Sequence, residues 1–324
     1  MNILVTGGLG LIGHNVILKL AAQGHRAIGF DNKTDYGIIP SDELEYLHRE
    51  RQKKISKNSV YEGDISSAAF ESIVSLFKPD IVIHLASFPR QKVVNANPQL
   101  GARWMVEGLL NVLETCVQHN VPKLLYASSS MVYGDFNHCI KEDEKCAPIG
   151  QYGIMKHMGE KLVQDYERKG LIKSIIVRPS AVYGPLDVED RVISKFLLTA
   201  MRGGVLKVKG KNEMLDFTFV DDAAEGIVSA ALCEAAYGQT FNITKGASTT
   251  LYDAANLAIN IVGKGSIVVE EKDQDFPSRA ALDITKARQT FNFNPQVDVA
   301  EGFNRYYDWL SSSPYWTEKI KTST

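Results

Sequence analysis

The chain has 324 residues, 44% of them hydrophobic and 23% charged, and a formal net charge of -2. This is the balance of a water-soluble globular protein, long enough for one large α/β domain or two intimate ones. It excludes a long-range field that would draw in nucleic acid or a membrane surface, so an anionic ligand has to be held by local Arg, Lys and helix N-termini.

Met1 to Thr6 runs straight into a β-type segment, Ile3 to Thr6, without the basic start and apolar core of a signal peptide. A helical stretch from Leu11 ends at Gly24, Arg26 to Phe30 reads as a second strand closed by Asp31, and Val60 to Glu62 as a third. The basic run Lys53 to Lys57 reads as a solvated face or loop. Ala68 to Phe77 is helical and stops at Pro79, and Ile81 to Ala86 is a continuous apolar strand, the pattern of burial on both faces. A long helix follows Pro98 and ends near Asn120. Lys123 to Ser128 is a strand, the helix Tyr152 to Lys169 ends at Gly170, and Ser174 to Val177 is a strand. Strands alternating with helices predict α/β architecture, a Rossmann-type, doubly wound parallel sheet.

After Arg178-Pro179 the rhythm loosens. Helices near Arg191 to Arg202, Asp221 to Glu234, Asp253 to Val262 and Ala300 to Leu310 are separated by short β-like runs, Val205 to Val208 and Phe241 to Thr244. This half reads as a smaller α/β C-terminal domain that binds substrate. The expected division is 1–178 for the sheet domain, with 216–244 returning to it, and 179–215 with 245–324 for a cap over it. No stretch reaches the ~18 uninterrupted apolar residues of a membrane span. Cys116, Cys139, Cys146 and Cys233 lack a paired metal spacing and the seven histidines do not cluster, so no metal is expected. Four free thiols fit the reducing cytoplasm.

Thr6-Gly7-Gly8-Leu9-Gly10-Leu11-Ile12-Gly13 sits between the first strand and the first helix. Gly7 permits a tight turn, Gly10 lets backbone approach a pyrophosphate, and Gly13 lets the helix pack closely on the strand. The helix N-terminus then offers free N–H groups to phosphates. Asp31 ends the second strand, eighteen residues after Gly13. A carboxylate there accepts the adenosine ribose hydroxyls and repels a 2′-phosphate, which favours NAD over NADP; Lys33 nearby weakens that repulsion. Asp64, in Gly63-Asp64-Ile65, is placed to accept from an adenine amino group, with a plain Asx-turn as the alternative.

Tyr152 and Lys156 are four residues apart on one helix face. A free tyrosine titrates near pH ~10, and a neighbouring ammonium favours the phenolate; reaching neutrality needs roughly 4 kcal/mol of differential interaction. An amphipathic helix face is the plain alternative for this spacing. Ser128-Ser129-Ser130 lies at the carboxyl end of a predicted strand, where open α/β sheets carry their ligands, and a serine there can hold a hydroxyl for Tyr152. A Ser-rich loop without chemistry is the alternative.

With these residues in hand, the chain resembles the extended short-chain dehydrogenase/reductase family, the NAD-dependent epimerase/dehydratase group. The likeness runs from the glycine turn, Asp31-Asn32 and His84-Leu85-Ala86 through Arg178-Pro179-Ser180-Ala181-Val182-Tyr183-Gly184-Pro185 and Asp216 to Asp222. Phe241-Asn242-Ile243 and Asp283-Ile284-Thr285-Lys286-Ala287 complete it. The resemblance implies Ser129, Tyr152 and Lys156 as the catalytic set. It implies an NAD site formed by Gly7, Gly10, Leu11, Ile12, Asp31, Asn32, Asp64, Ile65, Leu85, Ala86, Ser87, Ser128 and Pro179 together with Tyr152 and Lys156. A nucleotide-diphosphate sugar would be held by Arg90, Ser130, Arg191 and Arg279, with Arg279 resembling the pyrophosphate arginine of many relatives; a surface ion pair is the alternative for Arg191. A homodimer through the helices after Pro98 and Tyr152 is implied as well.

The departures narrow the reaction. Relatives that dehydrate or decarboxylate the sugar carry acids just after the catalytic Ser/Thr, where this chain has Ser130 and Met131. Met105, Ala181 and Leu215 stand where relatives often have Asn, Asn and Arg, so the nucleotide is expected to be held differently. What remains is oxidation at one sugar carbon, usually C4. The first expectation is a 4-epimerase, the alternative a 4-dehydrogenase that releases the ketosugar, and the third a non-catalytic NAD-binding sensor.

Overall fold

The apolar runs Ile3-Leu4-Val5, Ile81-Val82-Ile83 and Ile175-Ile176-Val177 are rich in β-branched residues and shut off from solvent on both sides. Successive side chains along a strand point to opposite faces, so each run needs a layer of helices above and below it. The computed structural model, which describes residues 1–35, 37, 39–55, 59–88, 90–274 and 276–322, supplies both layers.

The first half runs β1 (Asn2–Thr6), α1 (Leu11–Ala22), β2 (Arg26–Asp31), α2 (Ser41–Lys54), β3 (Val60–Glu62), α3 (Ala68–Phe77), β4 (Ile81–His84), α4 (Gln91–Ala96) and α5 (Pro98–Ala102). A π-helical turn, Arg103–Glu107, leads into α6 (Gly108–Gln118), followed by β5 (Lys123–Ala127), α7 (Gly150–Arg168) and β6 (Lys173–Pro179). The second half has short strands β7 (Val182–Tyr183), β8 (Val205–Lys209), β9 (Met214–Leu215) and β10 (Thr218–Phe219) around α8 (Val192–Met201), then α9 (Val220–Leu232) and β11 (Gln239–Ile243). It ends with β12 (Thr249–Thr250), α10 (Leu251–Val262), β13 (Ser266–Glu270), α11 (Thr285–Phe291), α12 (Val299–Ser312) and α13 (Pro314–Thr322).

Seven parallel strands form the main sheet in the order β11-β6-β5-β4-β1-β2-β3, the expected α/β class with a Rossmann-like sheet and a smaller C-terminal α/β region. Ile3, Val5, Ile83, Leu125 and Val177 face Val16 and Leu20 of α1 and Ile227 and Ala231 of α9. Leu4, Phe30, Val82, Leu124 and Ile176 face Phe70 and Val74 of α3, Val112 of α6 and Val163 of α7. A separate core gathers Leu197, Leu206, Phe217, Phe219, Ala255, Phe303, Leu310 and Trp316, all from residues after β6 apart from Tyr46 and Leu47. No helix among the described residues is long and apolar enough to cross a membrane.

Several expectations need correction. The strand from Ile81 stops at His84 rather than Ala86, because Leu85 N–H turns to the Thr6 carbonyl at 3.2 Å and Ala86 N–H to the Thr6 hydroxyl at 3.2 Å. The helix after Pro98 runs unbroken to Gln118, near its expected end, but its middle is a π turn. Helix α2 occupies a charged stretch with no sequence expectation except its tail, where Lys53 and Lys54 are exposed as a solvated face and Lys57 lies outside the described residues. It forms because the far end of the chain covers its apolar residues: the Tyr46 ring stacks on Tyr315 at 4.3 Å between centroids, and its hydroxyl lies 2.7 Å from that of Ser313. The strands β7, β9, β10, β12 and β13 escaped a periodicity reading, being short or, for β13, mostly exposed; their partners lie far off in sequence, as in the parallel pair β8–β13.

Trp316 is fully buried in this second core. Replacing it with alanine leaves a large cavity, so Trp316→Ala is expected to lose about 3–5 kcal/mol of stability in a urea melt.

Candidate active site

The carboxyl ends of β1, β4, β5 and β6 open onto a cleft of about 730 Å³ roofed by the second core. At the end of β1 the chain turns at Gly7, whose φ is +70° and whose N–H donates to the Phe30 carbonyl at 2.8 Å. A Cβ on Gly13 would stand 2.0 Å from the Gly7 carbonyl oxygen, so only glycine allows α1 to pack this close. Gly10 caps α1 without a side chain, leaving the first N–H groups of the helix at Leu11 and Ile12 facing the cleft. Thr6 and His84 join the ends of β1 and β4 by a 2.8 Å hydrogen bond; burial holds His84 near pKa 3, a neutral structural link.

Asp31, at the end of β2, accepts from Leu9 N–H at 2.9 Å and Lys33 N–H at 2.8 Å. The Lys33 ammonium turns away to Glu62 at 2.7 Å, so it neutralises a different acid from the one foreseen. Gly7, Gly10, Leu11, Ile12, Asp31, Asn32, Ile65, Leu85, Ala86, Ser87, Ser128 and Pro179 all line the cleft. Asp64 does not. It forms the Asx-turn alternative, accepting from Ser66 N–H at 2.8 Å, while its second oxygen takes the Trp104 indole N–H at 3.0 Å. Among the lining residues missed in the sequence, α2 contributes Leu44, His48 and Arg51 and the π turn Trp104. Arg51 donates to the carbonyls of Leu9 at 2.7 Å and Leu186 at 2.6 Å, tying the glycine turn to the cap. No apolar period marks these residues, which is why they were not found.

Ser129, Tyr152 and Lys156 come together deeper in the cleft. Lys156 Nζ donates to the Ala127 carbonyl at 2.7 Å, which fastens α7 to the end of β5. The ammonium lies 5.2 Å from the Tyr126 ring centroid and 6.0 Å from that of Tyr152. Four residues on, the buried Glu160 receives both ends of the Arg178 guanidinium at 2.8 and 2.7 Å. Burial drives Lys156 down to about 7, with Glu160 opposing.

The electrostatics differ from the sequence expectation at one point. Tyr152 is pushed up from the ordinary tyrosine value by burial, not lowered. What pulls against burial is first Arg191, then the Ser129 hydroxyl, then Arg279. Lys156, itself pushed down by burial, is not among the charges that pull on the phenol here.

The four residues expected to meet substrate all line the cleft. Arg90 is paired with Asp190 at 2.6 Å, and Arg191 faces Asp187 at 4.0 Å, so Arg191 both lines the cleft and has an ion-pair partner. Ser130 donates to Ser180 at 3.1 Å and accepts from Arg279 at 3.3 Å. Of the departures, Met105 is buried against Phe88 and Val94, away from the cleft, while Ala181 and Leu215 line it. Ala181 has φ +37°, a left-handed conformation that asparagine tolerates better than alanine and a mark of strain at a working surface. Asp216 and Asn242 serve the fold. Asp216 accepts from Leu282, Gly246 and Lys245 N–H groups at 3.1 Å, and Asn242 Nδ2 donates to the Ile140 and Asp283 carbonyls. Cys146, His157 and Glu160 bring three possible ligand atoms together, but the Arg178 cation already occupies the Glu160 carboxylate and repels a metal ion.

The cost of burying Lys156 can be read as stability. Its pKa falls from 10.5 to about 7 on folding, so the burden is full below about pH 7 and fades as pH rises toward 10.5. Lys156→Met is therefore expected to raise the melting temperature, at roughly 2–4 °C per kcal/mol. The gain over wild type should be largest below neutrality and shrink steadily in alkaline scans.

Residues 3–244 match the NAD dependent epimerase/dehydratase family. UDP-glucose 4-epimerase of Mycolicibacterium smegmatis is 28% identical over 322 residues, covering 96% of this chain and 98% of that protein. UDP-glucuronate 4-epimerase of Thermodesulfobacterium geofontis is 28% identical over 327 residues, covering 98% of each. The crystal structure of Thermotoga maritima UDP-glucose 4-epimerase with UDP-glucose is similar with a TM-score of 0.86 at 27% identity, covering 96% of this chain and 99% of that one. A strand-turn-helix cradle that only glycine fits, an acid at the end of β2 and a Ser/Tyr/Lys cluster at the end of β5 accompany a family match over most of the chain. The chain therefore belongs to the NAD-dependent epimerase/dehydratase family of enzymes.

Proposed function

We propose that the protein is a 4-epimerase of a nucleotide-diphosphate sugar. The observation that carries this reading is the convergence of Ser129, Tyr152 and Lys156 beside the glycine turn, with Ser130 and Met131 rather than acids following Ser129. The cradle fits NAD: Gly7, Gly10 and the α1 N-terminus would hold the pyrophosphate, Asp31 the adenosine ribose, and the buried, unpartnered Ser128 hydroxyl and Pro179 the nicotinamide end. NAD, when bound, would supply a reversible hydride acceptor and a positive charge that favours the phenolate.

The chain's own groups handle the proton. Ser129 holds the C4 hydroxyl against Tyr152, and Tyr152 takes its proton and later gives it back. The two arginines that face the phenol stabilise the phenolate between those events, while Lys156 keeps α7 seated on the end of β5 and would hold the nicotinamide ribose. The division proposed from sequence gives NAD to residues 1–178 with 216–244 and the sugar nucleotide to 179–215 with 245–324; the packing of Ile227, Ala231 and Phe241 on the sheet supports the return, while Phe217 and Phe219 side with the second core. A homodimer through α7 is part of the same reading, supported by the exposed Ile154 and Met158 on that helix.

Epimer formation across a panel of UDP-, GDP- and CDP-sugars tests the reaction. Tyr152→Phe is expected to lower kcat by about 10²–10⁴ while leaving sugar-nucleotide affinity nearly unchanged. Ketosugar as sole product, with one reduced cofactor per turnover, would overturn the epimerase reading in favour of a 4-dehydrogenase.

A further inference from the structure

Of the three arginines expected to meet substrate, two have a carboxylate beside them. Arg90 has Asp190 and Arg191 has Asp187. Arg279 Nε is shut off from solvent with no hydrogen-bond partner, and its Nη1 reaches a neutral group, the Ser130 hydroxyl, at 3.3 Å. The acid that faces it, Glu213, is committed elsewhere: Lys272 lies 3.4 Å away, and Ser278 Oγ donates at 3.0 and 3.1 Å. Desolvation pulls the guanidinium down to about 10, with Tyr152 and Glu213 opposing. A cation held this way is costly unless a ligand brings the anion.

The position says which anion. Ser130 directly follows Ser129, whose hydroxyl lies against the Tyr152 phenol, and Arg279 itself acts on that phenol. Arg279 therefore belongs to the C4 end of the sugar. The diphosphate leaves a hexopyranose from C1, across the ring from C4. The ring carbon next to C4 that can carry a charged group is C5.

We propose that Arg279, seconded by Ser130, binds a carboxylate on C5 of the sugar, so that the substrate is a nucleotide-linked uronic acid. This rests on Tyr152 taking the C4 proton, and it moves Arg279 from the diphosphate, where resemblance put it, to the sugar. A carboxylate offers two oxygens to the guanidinium edge that carries the unpartnered Nε, the bidentate geometry that a neutral hydroxymethyl group does not provide.

Calorimetric titration of the NAD-loaded protein with matched pairs, UDP-glucuronate against UDP-glucose and GDP-mannuronate against GDP-mannose, tests this without turnover. In one pair the uronate is expected to bind about 100-fold tighter. Arg279→Gln should erase that preference and leave the affinity for the neutral partner within about threefold, while Arg279→Lys should keep part of it. NAD titration of each variant checks that the fold survives. No preference in either pair overturns the proposal. So does an Arg279→Gln protein that loses the neutral sugar nucleotide as strongly as the uronate, since that would return the guanidinium to the diphosphate. A uronate that binds through Arg279 yet is never epimerised would sink the proposed reaction and leave this site standing.

Discussion

The hydrogen bond from the Lys156 ammonium to the Ala127 carbonyl decides where the rest of the cleft lies. It runs from the middle of α7 to the end of β5, so it fixes the helix lengthwise on the sheet. Tyr152, one turn earlier, is thereby set over Ser129, two residues beyond Ala127. Behind it, the Glu160–Arg178 pair locks the next turn of the same helix to β6, and Arg178 passes the link on through the Tyr133 hydroxyl to Asn242 on β11. Three neighbouring strands and one helix are thus joined by charged and polar groups in a layer otherwise held by hydrocarbon. Such a network gives the site one geometry, because an unpaired member would be left buried without a partner.

The same burial sets the chemistry. A lysine that titrates near 7 and a tyrosine raised above its usual value are opposite consequences of one cause, removal of water from charged forms. The two groups are both reluctant to be charged. The positive charges of Arg191 and Arg279 begin to favour the phenolate, and the family's cofactor adds another.

The second core is closed by segments distant in sequence. Tyr46 and Leu47 from α2 enter it, Lys319 of α13 reaches Glu43 and Glu189, and Arg51 bonds backbone on both sides of the cleft. The roof and the floor are therefore not independent pieces: the glycine-turn end of the cleft shares α2 with the second core.

The sequence by itself determined the parallel α/β sheet, because two-faced strands such as Ile81 to His84 and one-sided helices leave few other ways to bury their apolar residues. It also determined the glycine cradle, since a Cβ at Gly13 has no room, and the pairing of Tyr152 with Lys156 on one helix face. Tertiary structure alone decided the elements whose partners are remote, such as α2 under α13 and β13 beside β8, because local periodicity carries no trace of a cover supplied from a distant part of the chain. It decided that Asp64 turns to Ser66 and Trp104, that Tyr152 is raised rather than lowered, and that Arg279 stands beside Ser130. Those outcomes depend on distance, desolvation and the count of opposite charges around a group, and none of these is a property of residues in line.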